Sequence, residues 1–476
     1  MASVPDDIFF ASITEINQAL QKKEVSAVEL ARAFTERLER LGPKYNALAL
    51  SLRKEALRAA KDVDGDLKRG RLRGPLQGVP YGAKDLLSFA KYPTTWGAKP
   101  YANQVFDYTA TALEKLNKTG GILMAKLAMV ELAGGAGYRY ASASLTGPGL
   151  NPWDTTRWSG GSSSGSAIAV AAGLVTYALG SETSGSILTP SSFCGVTGLR
   201  PTYGLVSRYG AMALSWTLDK IGPICRSADD CGLVLHHIAG GDYDDPMSAG
   251  RNFYYAPEYA RPLNQIHVGF APGDFSDAAE PAARPDFAKA LETIRSIGVQ
   301  MSDSQLPDFP YGAVINTIIS SEGSSVFEPL IQSGQVDQLA DEKQIAGLKA
   351  GLEIPAKDYL KAMRIRRLIQ DGFHDLFENV DVLLAPSRLA PAPKISEPLD
   401  RRSTATAPGG GLTALIPAGN LAGLPALSLP CGFANGMPIA IQLVGPPFSE
   451  RTLLALGKAF QERTNWHKRH PPSLSA

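Results

Sequence analysis

From Gly74 onward, short apolar runs punctuated by Gly and Pro alternate with stretches of helical periodicity. This alternation constrains the fold more than any other feature of the chain. The run Gly121-Ile122-Leu123-Met124-Ala125-Lys126-Leu127 is short and almost wholly apolar, so it reads as a buried strand following a helix. Residues 174–179, 267–271 and 382–385 have the same texture, while 167–172 read as a helix of small residues. Helices interleaved with short buried strands predict an α/β layered core.

The flanking segments complete the outline. Residues 15–21, 27–41 (after a Ser26 cap) and 53–69 carry helical periodicity with charged outer faces. Residues 286–297, 315–332 and 357–377 are predicted helices, and 242–264 read as a long loop. The Pro/Ala/Ser/Gly-rich residues 386–411 read as a mobile surface loop. Strands are predicted at 426–430 and 438–444, then a helix at 451–464. No internal repeat stands out. The expectation is one α/β domain over 1–476: N-terminal helices to about 70, a core over about 74–245, a helical insertion over about 275–378, and a return to the sheet over about 380–476.

Composition narrows the class. The 476 residues are 44% hydrophobic, ample for a large core. With 47 basic and 46 acidic side chains the net charge is +1, which gives no support for a nucleic-acid or anionic-membrane partner. No apolar run reaches the roughly 18 residues of a membrane-crossing helix. The opening Met-Ala-Ser-Val-Pro-Asp-Asp lacks the basic and apolar regions of a signal peptide. Cys194, Cys225, Cys231 and Cys431 form no CxxC pair, and the six histidines have no metal-ligand spacing. The chain therefore reads as cytoplasmic, with reduced thiols and no metal.

Two Gly/Ser-rich stretches carry the chemistry. Ser162 lies in Gly160-Gly161-Ser162-Ser163-Ser164-Gly165, and Ser186 in Thr183-Ser184-Gly185-Ser186-Ile187. Lys84 precedes both, in Gly-Val-Pro-Tyr-Gly-Ala-Lys-Asp at 78–85. Serine needs a neighbouring base to become a good nucleophile, and no histidine lies near these stretches. Lys84 lies between Ala83 and Asp85-Leu86-Leu87 in an otherwise rather apolar segment, and a buried lysine has its pKa lowered toward that of a usable base. Glycine-rich backbone lets N–H groups converge on an oxyanion, and Thr183, Ser184, Gly185 and Ser186 can supply such a nest. Each piece also has an ordinary reading: a Gly/Ser run is commonly a loop, and a lone lysine a solvated charge. Asp85 reads as a partner of Lys84 or as a simple cap. A rival reading makes Ser163 the nucleophile of a G-x-S-x-G elbow. That motif requires a preceding strand, whereas 151–158 is turn-rich, and its histidine would have to be distant, such as His374 or His467.

Together these residues resemble the amidase signature family. The resemblance includes 78–85, Asn-Pro-Trp-Asp at 151–154, Gly-Gly-Ser-Ser-Ser-Gly-Ser-Ala at 160–167 and Gly-Val-Thr-Gly-Leu-Arg-Pro-Thr-Tyr-Gly at 195–204. It continues through Leu-Asp-Lys-Ile-Gly-Pro at 218–223, Asn-Leu-Ala-Gly-Leu-Pro-Ala-Leu-Ser-Leu-Pro at 420–430 and Gln-Leu-Val-Gly-Pro-Pro at 442–447. It implies a large mixed β-sheet flanked by helices on both faces, and no metal or organic cofactor. It also implies Lys84 as catalytic base, Ser162 as a bridging serine after a cis peptide bond, Ser186 as nucleophile, and the backbone N–H groups of Thr183 to Ser186 as the oxyanion hole.

One departure directs the substrate expectation. The family commonly reads Asp-Thr-Gly-Gly-Ser-Ile-Arg, where this chain has Glu182-Thr183-Ser184-Gly185-Ser186-Ile187-Leu188. With Leu188 in place of the arginine, an apolar pocket wall disfavours a charged substrate. The expectation is a hydrolase of neutral, partly apolar small molecules (aryl amides and anilides, with carbamates as a further candidate), acting as a monomer or homodimer without nucleic acid or membrane. Tyr138, Tyr140 and Trp158 either line that pocket or pack as ordinary aromatics. The alternative is the glutaminase subunit of a tRNA-dependent amidotransferase, which the resemblance also accommodates.

Overall fold

The computed structural model describes residues 4–400 and 411–472. In chain order its strands are β1 (Leu48–Ser51), β2 (Pro80–Lys84), β3 (Ile122–Leu127), β4 (Leu150–Asn151), β5 (Asp154–Trp158), β6 (Tyr177–Glu182), β7 (Thr197–Arg200), β8 (Lys220–Cys225), β9 (His267–Phe270), β10 (Gln300–Asp303), β11 (Val382–Pro386), β12 (Ala426–Ala434) and β13 (Met437–Val444). Among the described residues, eleven of them form one sheet in the order β1-β3-β2-β6-β8-β7-β12-β13-β11-β9-β10. The sheet is mixed: β3, β2 and β6 run parallel, β6 through β11 pair antiparallel along the middle, and β11, β9 and β10 are parallel again. The α/β expectation holds, and helices flank the sheet.

Local chemistry explains the flanking helices. Ala27–Leu41 opens on a reciprocal capping box between Ser26 and Glu29, and it buries Leu30, Phe34, Leu38 and Leu41 along one stripe. The helix Ser164–Ala171 is buried on every side. At Gly165 only glycine allows that approach: a Cβ there would stand 2.5 Å from Ala128 N and Ala47 O.

Several boundaries differ from the sequence expectation. The strand expected at 174–179 runs Tyr177–Glu182, because Gly173 (φ +64°) ends the preceding helix and a turn intervenes. The helix expected at 315–332 is two helices, Tyr311–Val326 and Glu328–Gln332, with Pro329 in the first turn of the second. Within 275–378, β10 joins the edge of the sheet beside β9. The segment read as turn-rich before Ser162 contains β4 and β5, a two-stranded hairpin whose polar outer face hides its strand character. Of the loop expected at 386–411, residues 401–410 lie outside the described residues. Among the described residues no helix is long and apolar enough to cross a membrane.

Candidate active site

Neighbouring parallel strands build the site. Ala83 of β2 lies opposite Leu179 of β6, so the carboxyl ends of both strands carry Lys84 and Ser181-Glu182 to the same edge. Ligand sites of α/β sheets gather at such ends. Ser162 comes from the loop that follows β5, and Ser186 from the turn between β6 and the helix Leu188–Cys194. Gly160 and Gly185 have φ of +83° and +89°, the left-handed region in which both turns need glycine. At Gly160 a Cβ would also stand 2.7 Å from the Pro190 Cα.

Lys84 is fully buried, and its ammonium faces two hydroxyls. Nζ lies 2.6 Å from Ser162 Oγ and 2.9 Å from Ser181 Oγ. Burial pushes its pKa down to about 7, against the opposing charges of Asp219 and Glu182. The Gly161–Ser162 peptide is cis, as the resemblance implies. Ser163 N–H donates to the Ser186 carbonyl at 3.3 Å, which sets the two serine loops side by side. Among the described residues the Ser186 hydroxyl has no hydrogen-bond partner, and the N–H groups of Ser184, Gly185 and Ser186 donate to nothing. A lysine–serine relay beside a serine with free N–H groups can perform nucleophilic acyl transfer.

Neighbouring side chains settle readings that the sequence leaves open. The Ser163 hydroxyl donates to Ser181 O (3.1 Å) and accepts from Ser181 N–H (3.2 Å), so it ties the Ser162 loop to the end of β6 rather than standing free as an elbow nucleophile would. Asp85 does not reach Lys84. Its Oδ1 pairs with Lys126 Nζ at 2.7 Å, both groups being buried, and its Oδ2 accepts Thr95 N–H at 3.0 Å. Thr183 Oγ1 donates to Asp219 at 2.5 Å. The sequence alone does not mark Ser181, Glu182, Asp219 or Lys126 as site residues. Ser181 and Glu182 directly precede the Ser186 stretch, and Asp219 and Lys126 lie within readable segments, so position along the chain is their one signal.

The weaker substrate candidates lie apart. A cavity of about 190 Å³ opens beside Ser181, Thr183 and Asp219, walled by Leu86, Met212 and Leu214. Neither Leu188 nor Tyr138 lines it. The Leu188 side chain is fully buried in an apolar cluster with Leu218, Ile318 and Leu415. Tyr138 is half-buried, edge-on to Trp158 at 6.1 Å, with its hydroxyl 3.2 Å from where a Cβ on Gly161 would sit. Burial raises its pKa. Tyr140 is exposed.

This fold and constellation define an amidohydrolase, an enzyme of C–N bond hydrolysis. The amidase family model matches residues 29–454, and the chain belongs to that family. The A subunit of the glutamyl-tRNA(Gln) amidotransferase of Carboxydothermus hydrogenoformans is 36% identical, over 98% of this chain and 99% of that protein. The solved structure of native peptide amidase from Stenotrophomonas maltophilia superposes with a TM-score of 0.84 at 27% identity, covering 98% of this chain and 99% of that one. The A subunit of the glutamyl-tRNA(Gln) amidotransferase from Thermotoga maritima gives 0.80 at 27% identity, covering 100% of both.

These relatives correct two expectations. The hydrolase of neutral aryl amides, anilides and carbamates gives way, because a full-length relative at 36% identity bears the name of an amidotransferase subunit. The same finding overturns the partner expectation of a small-molecule substrate alone, no nucleic acid and a monomer or homodimer. The structure supplies physical reasons. Leu188 is expected to wall the pocket, yet its side chain belongs to the core. A net charge of +1 averages over the whole surface and by itself excludes no partner.

Proposed function

We propose that this chain is the amide-hydrolysing subunit of a glutamyl-tRNA(Gln) amidotransferase, acting in the cytoplasm and releasing ammonia from glutamine for use by a partner subunit. The observation that carries the proposal is the 36% identity, over 98% of the chain, with the corresponding subunit of such an enzyme. The site geometry supports the chemistry it requires.

In this mechanism neutral Lys84 accepts a proton through the Ser162 hydroxyl as Ser186 Oγ attacks the amide carbon. The N–H groups of the 183–186 turn receive the developing oxyanion. The relay returns the proton to nitrogen, the C–N bond breaks, and ammonia leaves an ester on Ser186. Water then attacks this ester by the reverse path, and the carboxylate product departs. The 2.6 Å contact from Lys84 Nζ to Ser162 Oγ is short enough for direct proton transfer.

The test measures ammonia release from glutamine by the chain purified with its partner subunits. Wild type is expected to release ammonia and Ser186→Ala to be inactive. A wild-type complex that labels at Ser186 with a fluorophosphonate yet releases no ammonia from glutamine would overturn the proposal.

A further inference from the structure

Three sequence features have no part in the chemistry so far: Glu182 in place of the family's aspartate, Arg200 in the 195–204 motif, and Asn420 at the head of the 420–430 motif. The fold brings them to one point. Glu182 ends β6 and is fully buried. Its Oε1 accepts from Arg200 Nη1 and from Asn420 Nδ2, each at 2.8 Å. Its Oε2 accepts the backbone N–H groups of Ile187 (2.8 Å) and Leu188 (3.0 Å). Arg200 is itself fully buried, with Nε donating to Leu424 O at 3.0 Å. Gly419 leaves it room, since a Cβ there would stand 2.8 Å from Nη2.

One carboxylate thus spans the turn that holds Ser186. It leaves the chain immediately before Thr183 and binds the two residues immediately after Ser186. We propose that Glu182 is the positioning residue of this turn, closing it from inside so that Ser186 and the N–H groups of Ser184 to Ser186 stay turned toward substrate. Four donors offset the desolvation of the buried charge. Burial would raise the Glu182 pKa, and Arg200, Asn420 and the Leu188 N–H outweigh it, so the group stays ionised. Lys220 and Lys84 are the other charged neighbours, and Glu182 favours the protonated form of each.

The inference rests on the reading in which Ser186 attacks, and the test separates the two. Glutamine acts as a mixed donor–acceptor at position 182, so Glu182→Gln must turn an NH₂ toward either the Arg200 and Asn420 donors or the two N–H groups. Glu182→Asp keeps the charge but falls one methylene short. In the full chain with its partner subunits, Glu182→Gln is expected to lower kcat and the fluorophosphonate labelling rate about ten- to a hundredfold with KM within about twofold, as for loss of oxyanion alignment. Its acid limb is expected to move to lower pH. Glu182→Asp is expected to keep the wild-type limb with a reduced kcat. A folded Glu182→Gln that labels at the wild-type rate overturns the inference. If that variant does not fold, an unchanged kcat in Glu182→Asp overturns it. Ser186→Ala that still hydrolyses substrate overturns the underlying mechanism instead.

Discussion

Lys84 makes a quantitative demand on the pH profile. An exposed lysine of pKa about 10.4 is neutral in about 0.04% of molecules at pH 7. Burial brings Lys84 to about 7, so that about half is neutral there. The gain in usable base is roughly a thousandfold. The sign follows directly: lysine is the base only when neutral, so activity is gained as pH rises through about 7. Below that value kcat/KM is expected to fall about tenfold per pH unit, to about 1% of the plateau at pH 5. Asp219 opposes the depression of this pKa, so Asp219→Asn is expected to move the midpoint to lower pH. The assay is the initial rate of ammonia release from pH 5 to 9 at constant ionic strength. A level profile between pH 5 and 7, or a midpoint in the carboxylate range, would refute Lys84 as the base. The same shift links folding to pH. Between about 7 and 10 the unfolded chain binds a proton at Lys84 that the folded chain does not, so this residue's contribution to stability grows with rising pH.

Two further outcomes follow from packing. Leu188→Ala is expected to cost about 2–5 kcal/mol in denaturant unfolding, as a cavity in an apolar core does, while KM stays near wild type. A large KM increase in a protein of unchanged stability would return Leu188 to the substrate pocket. Lys126→Met leaves the Asp85 carboxylate buried without its cation, at an expected cost of about 3–5 kcal/mol. Thermal unfolding measures this, and an unchanged Tm would show that the pair contributes little.

The fold is legible in the sequence where periodicity is unambiguous. Helix Ala27–Leu41 and strands β3 and β11 lie within a residue of their expected limits, because apolar stripe, cap and flanking glycine agree there. It is less legible where tertiary contacts decide. β1 is a half-buried strand of four residues, paired with β3, and nothing in its own pattern distinguishes it from a turn. β10 has mostly exposed side chains and owes its conformation to β9.

The candidate site divides in the same way, for a physical reason. Ser162 and Ser186 lie on tight glycine-bearing turns and Lys84 ends the short buried strand β2, so backbone geometry and burial restrict which residues fit and their neighbourhoods are readable as motifs. The residues that support them act across long sequence separations. Asn420 reaches Glu182 from a distant helix, and Asp219 reaches Thr183 from the start of β8. Their partners cannot be deduced from spacing, because a buried carboxylate accepts any donor the fold delivers. Leu188 misleads in the opposite direction. Its proximity to Ser186 along the chain suggests contact with substrate, but consecutive residues entering a helix point to different sides. Glu182 holds the Leu188 N–H toward the turn while the side chain enters the core. What this position says about substrate therefore passes through its backbone. The cavity beside Ser181, Thr183 and Asp219 is the place where specificity is expected to be read instead.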